Sequence, residues 1–372
     1  MPASDRPFYH RASHSLIIIS LVTLGIYIGQ EIIVPLALGG LLAILLRPVE
    51  AWFMRRGVHK VIAICLTLLL AVIVLSGVAI FISIQISNFS DDLPKLQQNI
   101  NDFYRVARRW VRQEYNVSYT KQAQYIKQAQ QKTLENLQGG TGALAAISGP
   151  LGTLALIPIY VFLLLYYRAM LLKFLVSLFV EEHAGRVWEI IGQVKTVIQS
   201  YVVGLLLETA CVAILNALGL LALGVEYAIM LSVIAAILNL IPYLGGIIAT
   251  VLAVAIVFIN NPEPSMLLGV VGVFLAVQFI DNNFLVPMIV GSKVKVNALV
   301  SIVGVLIGGA LAGVSGMFLS IPAIALMKVV FDRVEGLEPW GILIGDDQPD
   351  DAKQPMLPRW MRIWERRKAE NG

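Results

Sequence analysis

Asn239-Leu240-Ile241-Pro242-Tyr243-Leu244-Gly245-Gly246 sits in the middle of one apolar run, 226–259, and Gly308-Gly309-Ala310-Leu311-Ala312-Gly313 in the middle of another, 296–330. As one straight helix, rising ~1.5 Å per residue, either run would be roughly 50 Å long. The hydrocarbon core of a bilayer is only about 30 Å thick. Each run therefore reads as a hairpin of two short helices rather than one crossing. Backbone that leaves the helix at membrane depth is tolerated only where protein buries it or where it lines a cavity. The two turns are thus candidates for a transport site. Pro242, Gly245, Gly246, Gly308, Gly309 and Gly313 would free backbone NH and C=O groups there for a polar solute or ion. The plainer alternative is that the glycines permit close helix packing.

Composition sets the class. Hydrophobic residues are 58% of the 372 and charged residues 14%, against roughly a quarter charged in soluble domains. Apolar runs of about 20 residues recur, the mark of an all-α polytopic membrane protein. A transmembrane barrel would show alternating ten-residue segments instead. The reading is about six full membrane helices plus two broken, re-entrant hairpins, or about eight hydrophobic segments, with a helical insert outside the membrane. The net charge of +4 is no nucleic-acid signal, because the basic residues fall in loops and the tail. Cys65 and Cys211 lie inside apolar runs and read as small buried residues, without a disulfide framework or metal site. No phosphate-binding glycine loop, zinc-protease motif or serine-hydrolase motif occurs. The four histidines, His10, His14, His59 and His183, fall in polar flanks. An enzyme, a metal and a cofactor are therefore not expected.

The chain divides into five parts. Residues 1–90 hold three membrane helices, with a break expected around Gln30, Glu31 and Pro35. Residues 91–147 are polar, with apolar positions at helical spacing, and read as amphipathic helices outside the hydrocarbon core. They act as a gate over the pathway or simply as a solvated domain. Residues 148–197 hold a fourth membrane helix, with Pro158 as a candidate kink, then an interfacial amphipathic pair over 168–195. Residues 198–331 form the core: a helix with Glu208, the first hairpin, a helix ended by Pro287 and Gly291, and the second hairpin. The tail, 332–372, ends in the basic, tryptophan-bearing segment 359–368, suited to anionic headgroups or an ordinary charged terminus.

Polar groups inside the apolar runs are the next signal. Glu208 lies within a membrane helix expected over about 198–223, with no Lys or Arg in that stretch. A carboxylate at that depth costs at least ~2.5 kcal/mol, so it carries a proton or finds a partner on another helix. It is a candidate proton carrier or solute ligand. Gln278 and Asp281 share a helix face, and Asn282 and Asn283 widen that polar stripe. Asn239 precedes the first turn and is placed to bond its freed backbone groups. Lys328 and Arg47, near helix ends, read as snorkelling cations.

With the N-terminus inside and both broken runs as hairpins, 20 of the 28 Lys and Arg fall inside and only the 8 of the insert fall outside. This orientation agrees with the positive-inside rule. The first hairpin then enters from outside and the second from inside, each after a helix with a buried acid. That is the pattern of an inverted repeat.

Three motifs carry a resemblance. Asn239 to Gly246, Gln278-Phe-Ile-Asp-Asn-Asn-Phe-Leu-Val-Pro287 with Gly291, and Gly308 to Gly316 with Pro322 resemble, in order, the three signatures of the autoinducer-2 exporter family, the PerM-like permeases. The resemblance covers most of residues 15–332. Asp281 stands where that family has Glu, and Ala298 near where it often has Pro. The resemblance implies a secondary transporter or exporter in a bacterial plasma membrane, oligomeric; the charge count adds cytoplasmic N- and C-termini. It implies a small polar solute of the autoinducer-2 kind, or sodium (lithium)–proton antiport. A membrane scaffold or regulator acting through the insert and tail is the rival from another class, and a passive channel is a third. The expected partners are the bilayer, the solute or ion, and further copies of the chain, with no nucleic acid.

Overall fold

The computed structural model describes residues 8–91, 143–180, 183–241, 245–260, 263–291 and 296–346, together with Gln98, Arg105 and Arg109. Nearly all of the expected insert, the basic tail segment and Pro242 lie outside the described residues. Every regular element among those described is helical. In order these are α1 (Phe8–Ile28), α2 (Gln30–Arg55), α3 (Lys60–Asp91), α4 (Ala143–Tyr166), α5 (Arg168–Ser177), α6 (Ala184–Ala222), α7 (Ala228–Asn239), α8 (Gly245–Asn260) and α9 (Pro264–Ile280). A π-helical segment (Asp281–Gly291), α10 (Ala298–Phe331) and α11 (Glu338–Ile344) follow. By length and composition alone, five spans among the described residues suit a membrane crossing, or six if the bent α4–α5 pair counts as one; α10 is one of the five, although it is broken at its centre.

Local chemistry sets most boundaries. The first break falls at Gly29 rather than within 30–35, and Pro35 is accommodated inside α2, where it is buried. Gly57 (φ +84°) closes α2: its NH bonds the Met54 carbonyl and the NH of Val58 bonds that of Phe53. Gly224 (φ +70°) closes α6 the same way, through the carbonyls of Leu221 and Leu220. This paired satisfaction of terminal carbonyls needs a left-handed residue, and glycine supplies it without a Cβ penalty. The sharp bend of the fourth span, 67°, falls at Tyr167 between α4 and α5, not at Pro158.

The expected interfacial pair over 168–195 is instead one short helix, α5, and the start of a long one. α6 runs without a break from Ala184 to Ala222. No proline interrupts it, so the polar first turns and the membrane segment form one rod, ~58 Å long at 1.5 Å per residue. This rod is the axis of the core. At its first end Arg186 pairs with Glu335, just beyond α10, at 2.9 Å. At its far end Leu220 and Val225 pack with Ala228 and Met230, where α7 begins.

Both broken runs fold back on themselves. α7 and α8 pack side by side, with Leu231 and Ala235 in one cluster with Ala249, Ala253 and Val257. Gly245 sits against the Leu238 carbonyl, where a Cβ would overlap backbone. α10 reads as one 34-residue helix, yet Ala312 (φ −145°, ψ 26°) and Gly313 (φ 58°, ψ −143°) leave helical geometry at its centre. The Ser320 hydroxyl donates to the Gly304 carbonyl at 2.9 Å, across sixteen positions. In a straight helix that separation would be about 24 Å, so the two arms are antiparallel. Gly308 and Gly316 face each other so closely that a Cβ on either would overlap the other's carbonyl. The start and end of α10 meet accordingly: Asn297 caps α10 by accepting from the Val300 NH and donates to the Leu343 and Gly345 carbonyls of α11, while Lys328 lies against Gly345.

The open end of the second hairpin thus lies at the Arg186 end of α6, and the open end of the first at its Leu220 end. The hairpins enter from opposite ends of one axial helix. Three-helix packing of α2, α3 and α4 supports the core, with Ala43, Ile64, Val161 and Leu165 buried together. Gly39 lets α2 approach α4, since a Cβ there would come 2.9 Å from that of Tyr160.

The hairpin geometry sets a stability test. Gly308→Ala and Gly316→Ala each force a methyl into opposing backbone, a cost of about 1–3 kcal/mol for overpacking. Gly272 faces open space, so Gly272→Ala is expected to be neutral or to stabilise by up to ~1 kcal/mol through helix propensity. Thermal unfolding of the purified protein in detergent reads the difference; equal effects of all three would mean the arms of α10 do not touch.

Candidate functional site

Glu208 lies halfway along α6 and is 6% exposed. Asp281, 3% exposed, begins the π-helical segment. Asn239, the last residue of α7, stands between them because the first hairpin ends there. Its Nδ2 donates to Asp281 Oδ2 at 3.2 Å and reaches Glu208 Oε1 at 3.5 Å. The second contact is at the outer limit of a hydrogen bond. Two carboxyl groups from separate helices thus share one amide donor at the hairpin tip.

These groups line a cavity of about 490 Å³. Tyr201, Leu205 and Glu208 come from α6; Asn239, Gly246, Ile247 and Thr250 from the first hairpin; Gln278, Asp281, Asn282 and Val286 from α9 and the π-helical segment; Ser301 and Ile321 from the second hairpin. Phe274 and Leu275 complete the wall. A volume of this size falls in the range of small-molecule sites, which are apolar with a few placed polar groups. Gln278 Nε2 donates to Asn282 Oδ1 at 3.1 Å, one turn along. Gly246 lets the Gln278 amide lie against the hairpin, because a Cβ there would displace Gln278 Oε1.

The π-helical turn has a cause in the sequence. Pro287 has no NH to give the carbonyl four residues back, and its ring crowds that carbonyl. A widened turn removes the conflict, and such turns recur at functional sites. The helix therefore continues past Pro287, which is exposed, and ends at Gly291. On the α6 side, Gly204 lets the rod approach Ile289, whose carbonyl would lie 3.0 Å from a Cβ.

Six of the residues singled out from sequence come together in this lining: Glu208, Asn239, Gly246, Gln278, Asp281 and Asn282. Gly245 lies in the turn packing of the first hairpin. Gly308 and Gly309 pack against Gly316 and Met317 within the second hairpin, and Gly313 forms its turn. Those three and Pro287 are not among the cavity residues. Tyr201, Thr250 and Ser301 line the cavity without having been singled out. Tyr201, Leu205 and Glu208 share one helical face, so their spacing carried the signal for Tyr201.

Charges elsewhere find partners. Arg47 pairs at 2.8 Å with Glu50, which is 3% exposed and was not singled out. Lys328 pairs with Asp332 at 2.7 Å. Cys65 is exposed rather than buried, and Cys211 is half-buried. Among the described residues no three His, Cys, Asp or Glu side chains cluster as a metal site would require.

Removing the shared donor tests this arrangement. Asn239→Leu leaves two buried carboxyl groups short of a partner, at about 1–3 kcal/mol for each unsatisfied group. The melting temperature of the purified protein is expected to fall, and adding Glu208→Gln to Asn239→Leu to recover part of the loss. Full stability in Asn239→Leu alone would show that the amide is dispensable.

A family model described as AI-2E family transporter matches residues 16–336. YhhT of Escherichia coli (strain K12) is 26% identical over 334 residues, covering 88% of this chain and 92% of its own. The AI-2 transport protein TqsA of the same organism is 25% identical over 331 residues, covering 88% and 93%. YrrI of Bacillus subtilis (strain 168) is 25% identical over 306 residues, covering 81% and 86%.

Proposed function

This chain belongs to the AI-2E family of transporters, and from that premise we propose that it is a secondary transporter exporting a small polar solute of the autoinducer-2 type through the cavity between its two hairpins. The observation that carries the reading is the shared amide: Glu208, Asn239 and Asp281 meet in a 490 Å³ cavity where three separately inserted elements converge. A polar solute finds hydrogen-bonding groups there from Asn239, Gln278, Asn282, Thr250 and Tyr201, and apolar walls from Phe274 and Leu275. The name of TqsA as an AI-2 transport protein favours that solute class.

Transport follows from the topology. Hairpins inserted from opposite ends of α6 close the cavity from opposite sides, so rocking one against the rod exposes the same groups to each side in turn. Binding of a proton or sodium ion by Glu208 or Asp281 changes the charge facing the solute and thereby couples the two movements. Sodium (lithium)–proton antiport is the second reading, favoured by the paired acids. A scaffold has no need of two carboxyl groups at that depth, where each costs at least ~2.5 kcal/mol. The positive-inside count supports cytoplasmic termini, and similarity to bacterial relatives supports a bacterial plasma membrane. The long exposed apolar faces of α1 and α3 suit association with further copies of the chain as well as lipid.

Flux into proteoliposomes carrying the pure protein tests this, with a proton or sodium gradient imposed and a pH-sensitive dye inside. Gradient-driven movement of autoinducer-2 or a related polar metabolite is expected, falling at least tenfold in Glu208→Gln and Asp281→Asn while both variants remain folded. Cation-dependent proton movement without solute movement would select the antiport reading. No flux of any species, with deletion of 91–147 abolishing a cellular phenotype that both point variants spare, would select the scaffold.

A further inference from the structure

A second cavity, of about 410 Å³, lies at the Arg186 end of α6 and shares no residue with the solute cavity. Three elements wall it. The end of α5 and the turn after it supply Leu175 and Phe179, the first turns of α6 supply Val187, Ile190 and Ile191, and the end of α10 supplies Val330. Val187, Ile190 and Ile191 fall at helical spacing, so one apolar face of α6 forms its wall. The same lining carries four polar side chains: His183, Arg186, Arg333 and Glu335.

The charges of this lining do not balance. Glu335 pairs with Arg186 at 2.9 Å. Asp332, beside Arg333 in the sequence, pairs with Lys328 at 2.7 Å. Glu181 and Glu182, just before His183, lie outside the described residues. Arg333 is half-buried, and its Nη1 donates to the Val329 carbonyl at 3.2 Å. Among the described residues it forms no ion pair. A guanidinium has five N–H donors in a planar fork, so most of that fork is left without a protein acceptor. A half-buried charge beside apolar walls is costly unless an opposite charge joins it. The fork suits a phosphate, which it binds through two parallel hydrogen bonds.

The surroundings select the kind of anion. The α6 rod is roughly twice as long as the hydrocarbon core is thick, so its polar first turns stand at the membrane surface. By the charge count this is the cytoplasmic surface. The 67° bend at Tyr167 turns α5 away from the axis of α4, toward the plane of the bilayer, and α5 exposes Leu171 and Phe174. Apolar walls next to lipid, with an unpaired cation at the surface, match an amphiphile with an anionic head. Basic hollows between membrane helices on the cytoplasmic side bind such headgroups. We propose that this cavity binds one anionic phospholipid of the surrounding bilayer, its phosphate on Arg333 and an acyl chain along Val187, Ile190 and Ile191. Two segments of the chain itself lack this match. Residues 359–368 are basic, as the site is, and the acidic residues 346–351 have proline as their only apolar side chain. The site does not rest on the transport reading. It bridges the rod and the open end of the second hairpin, so a bound lipid joins two elements that the transport reading sets in relative motion.

The test is native mass spectrometry of the full-length protein in detergent, with thermal unfolding followed in parallel. Phosphatidylglycerol is compared with phosphatidylcholine of the same acyl chains, and glycerol 3-phosphate and inorganic phosphate serve as competitors. The expected result is saturable binding of one phosphatidylglycerol per chain with a rise in melting temperature, and phosphatidylcholine at least tenfold weaker. Arg333→Gln weakens phosphatidylglycerol binding at least tenfold. Lys173→Gln, which removes an exposed cation of α5 outside the lining, leaves binding unchanged, as does deletion of 359–372. If Arg333→Gln does not fold, Arg333→Lys serves, since it keeps the charge but loses the fork and is expected to weaken binding less severely. Equal binding of the two lipids overturns the proposal, as does full-strength binding in whichever Arg333 variant folds. Displacement of the lipid by an equal concentration of glycerol 3-phosphate or inorganic phosphate overturns it in favour of a free-anion site. Loss of binding on deletion of 359–372 overturns it in favour of the tail.

Discussion

One amide nitrogen, Asn239 Nδ2, holds carboxyl groups from two different helices at the depth where a carboxyl group is most costly. The arrangement depends on where a hairpin ends. α7 stops at Asn239, so its last side chain projects beyond the helix toward the middle of α6. A longer α7 would put backbone where Glu208 and Asp281 meet. A shorter one would leave both acids without a donor. The length of a twelve-residue helix thus decides the chemistry of the cavity.

The hairpins in turn depend on glycine at two contacts. Gly245 lets the chain turn back against the Leu238 carbonyl, and the facing pair Gly308 and Gly316 lets the arms of α10 touch backbone to backbone. Apolar side chains gain little from associating in lipid, so close van der Waals contact and hydrogen bonds such as that of Ser320 hold such arms together. With each hairpin anchored at its own end of α6, the single long rod becomes the common reference for both. The continuity of α6 therefore keeps both anchors on one rod.

Much of the candidate site's lining was legible because the membrane makes polar residues conspicuous. Glu208, Asn239, Gln278, Asp281 and Asn282 stand out in apolar runs, and five such residues gather in one lining. Tyr201, Thr250 and Ser301 were less visible, since aromatic and hydroxyl residues are unremarked in membrane helices, where a hydroxyl often bonds its own helix, as Thr250 does to the Gly246 carbonyl. Glu50 was passed over for a different reason: its partner, Arg47, lies outside the apolar runs that drew attention. The second glycine motif misled in one respect, because its glycines serve the packing of the hairpin rather than the lining of the cavity.

The amino-acid sequence by itself determined the class of this protein, the two fold-back points and the acids that a bilayer would not tolerate unpartnered. Each follows from local physics: the length of an apolar run against the thickness of a bilayer, the conformational freedom of glycine, the cost of charge in hydrocarbon. Only the tertiary structure decided which polar groups meet. Glu208, Asn239 and Asp281 are separated by 31 and 42 positions along the chain. Their meeting depends on opposite insertion of two hairpins along one rod and on the helix that carries Asp281 at the start of its π-helical segment. Those are properties of packing between elements, and no periodicity within an element encodes them.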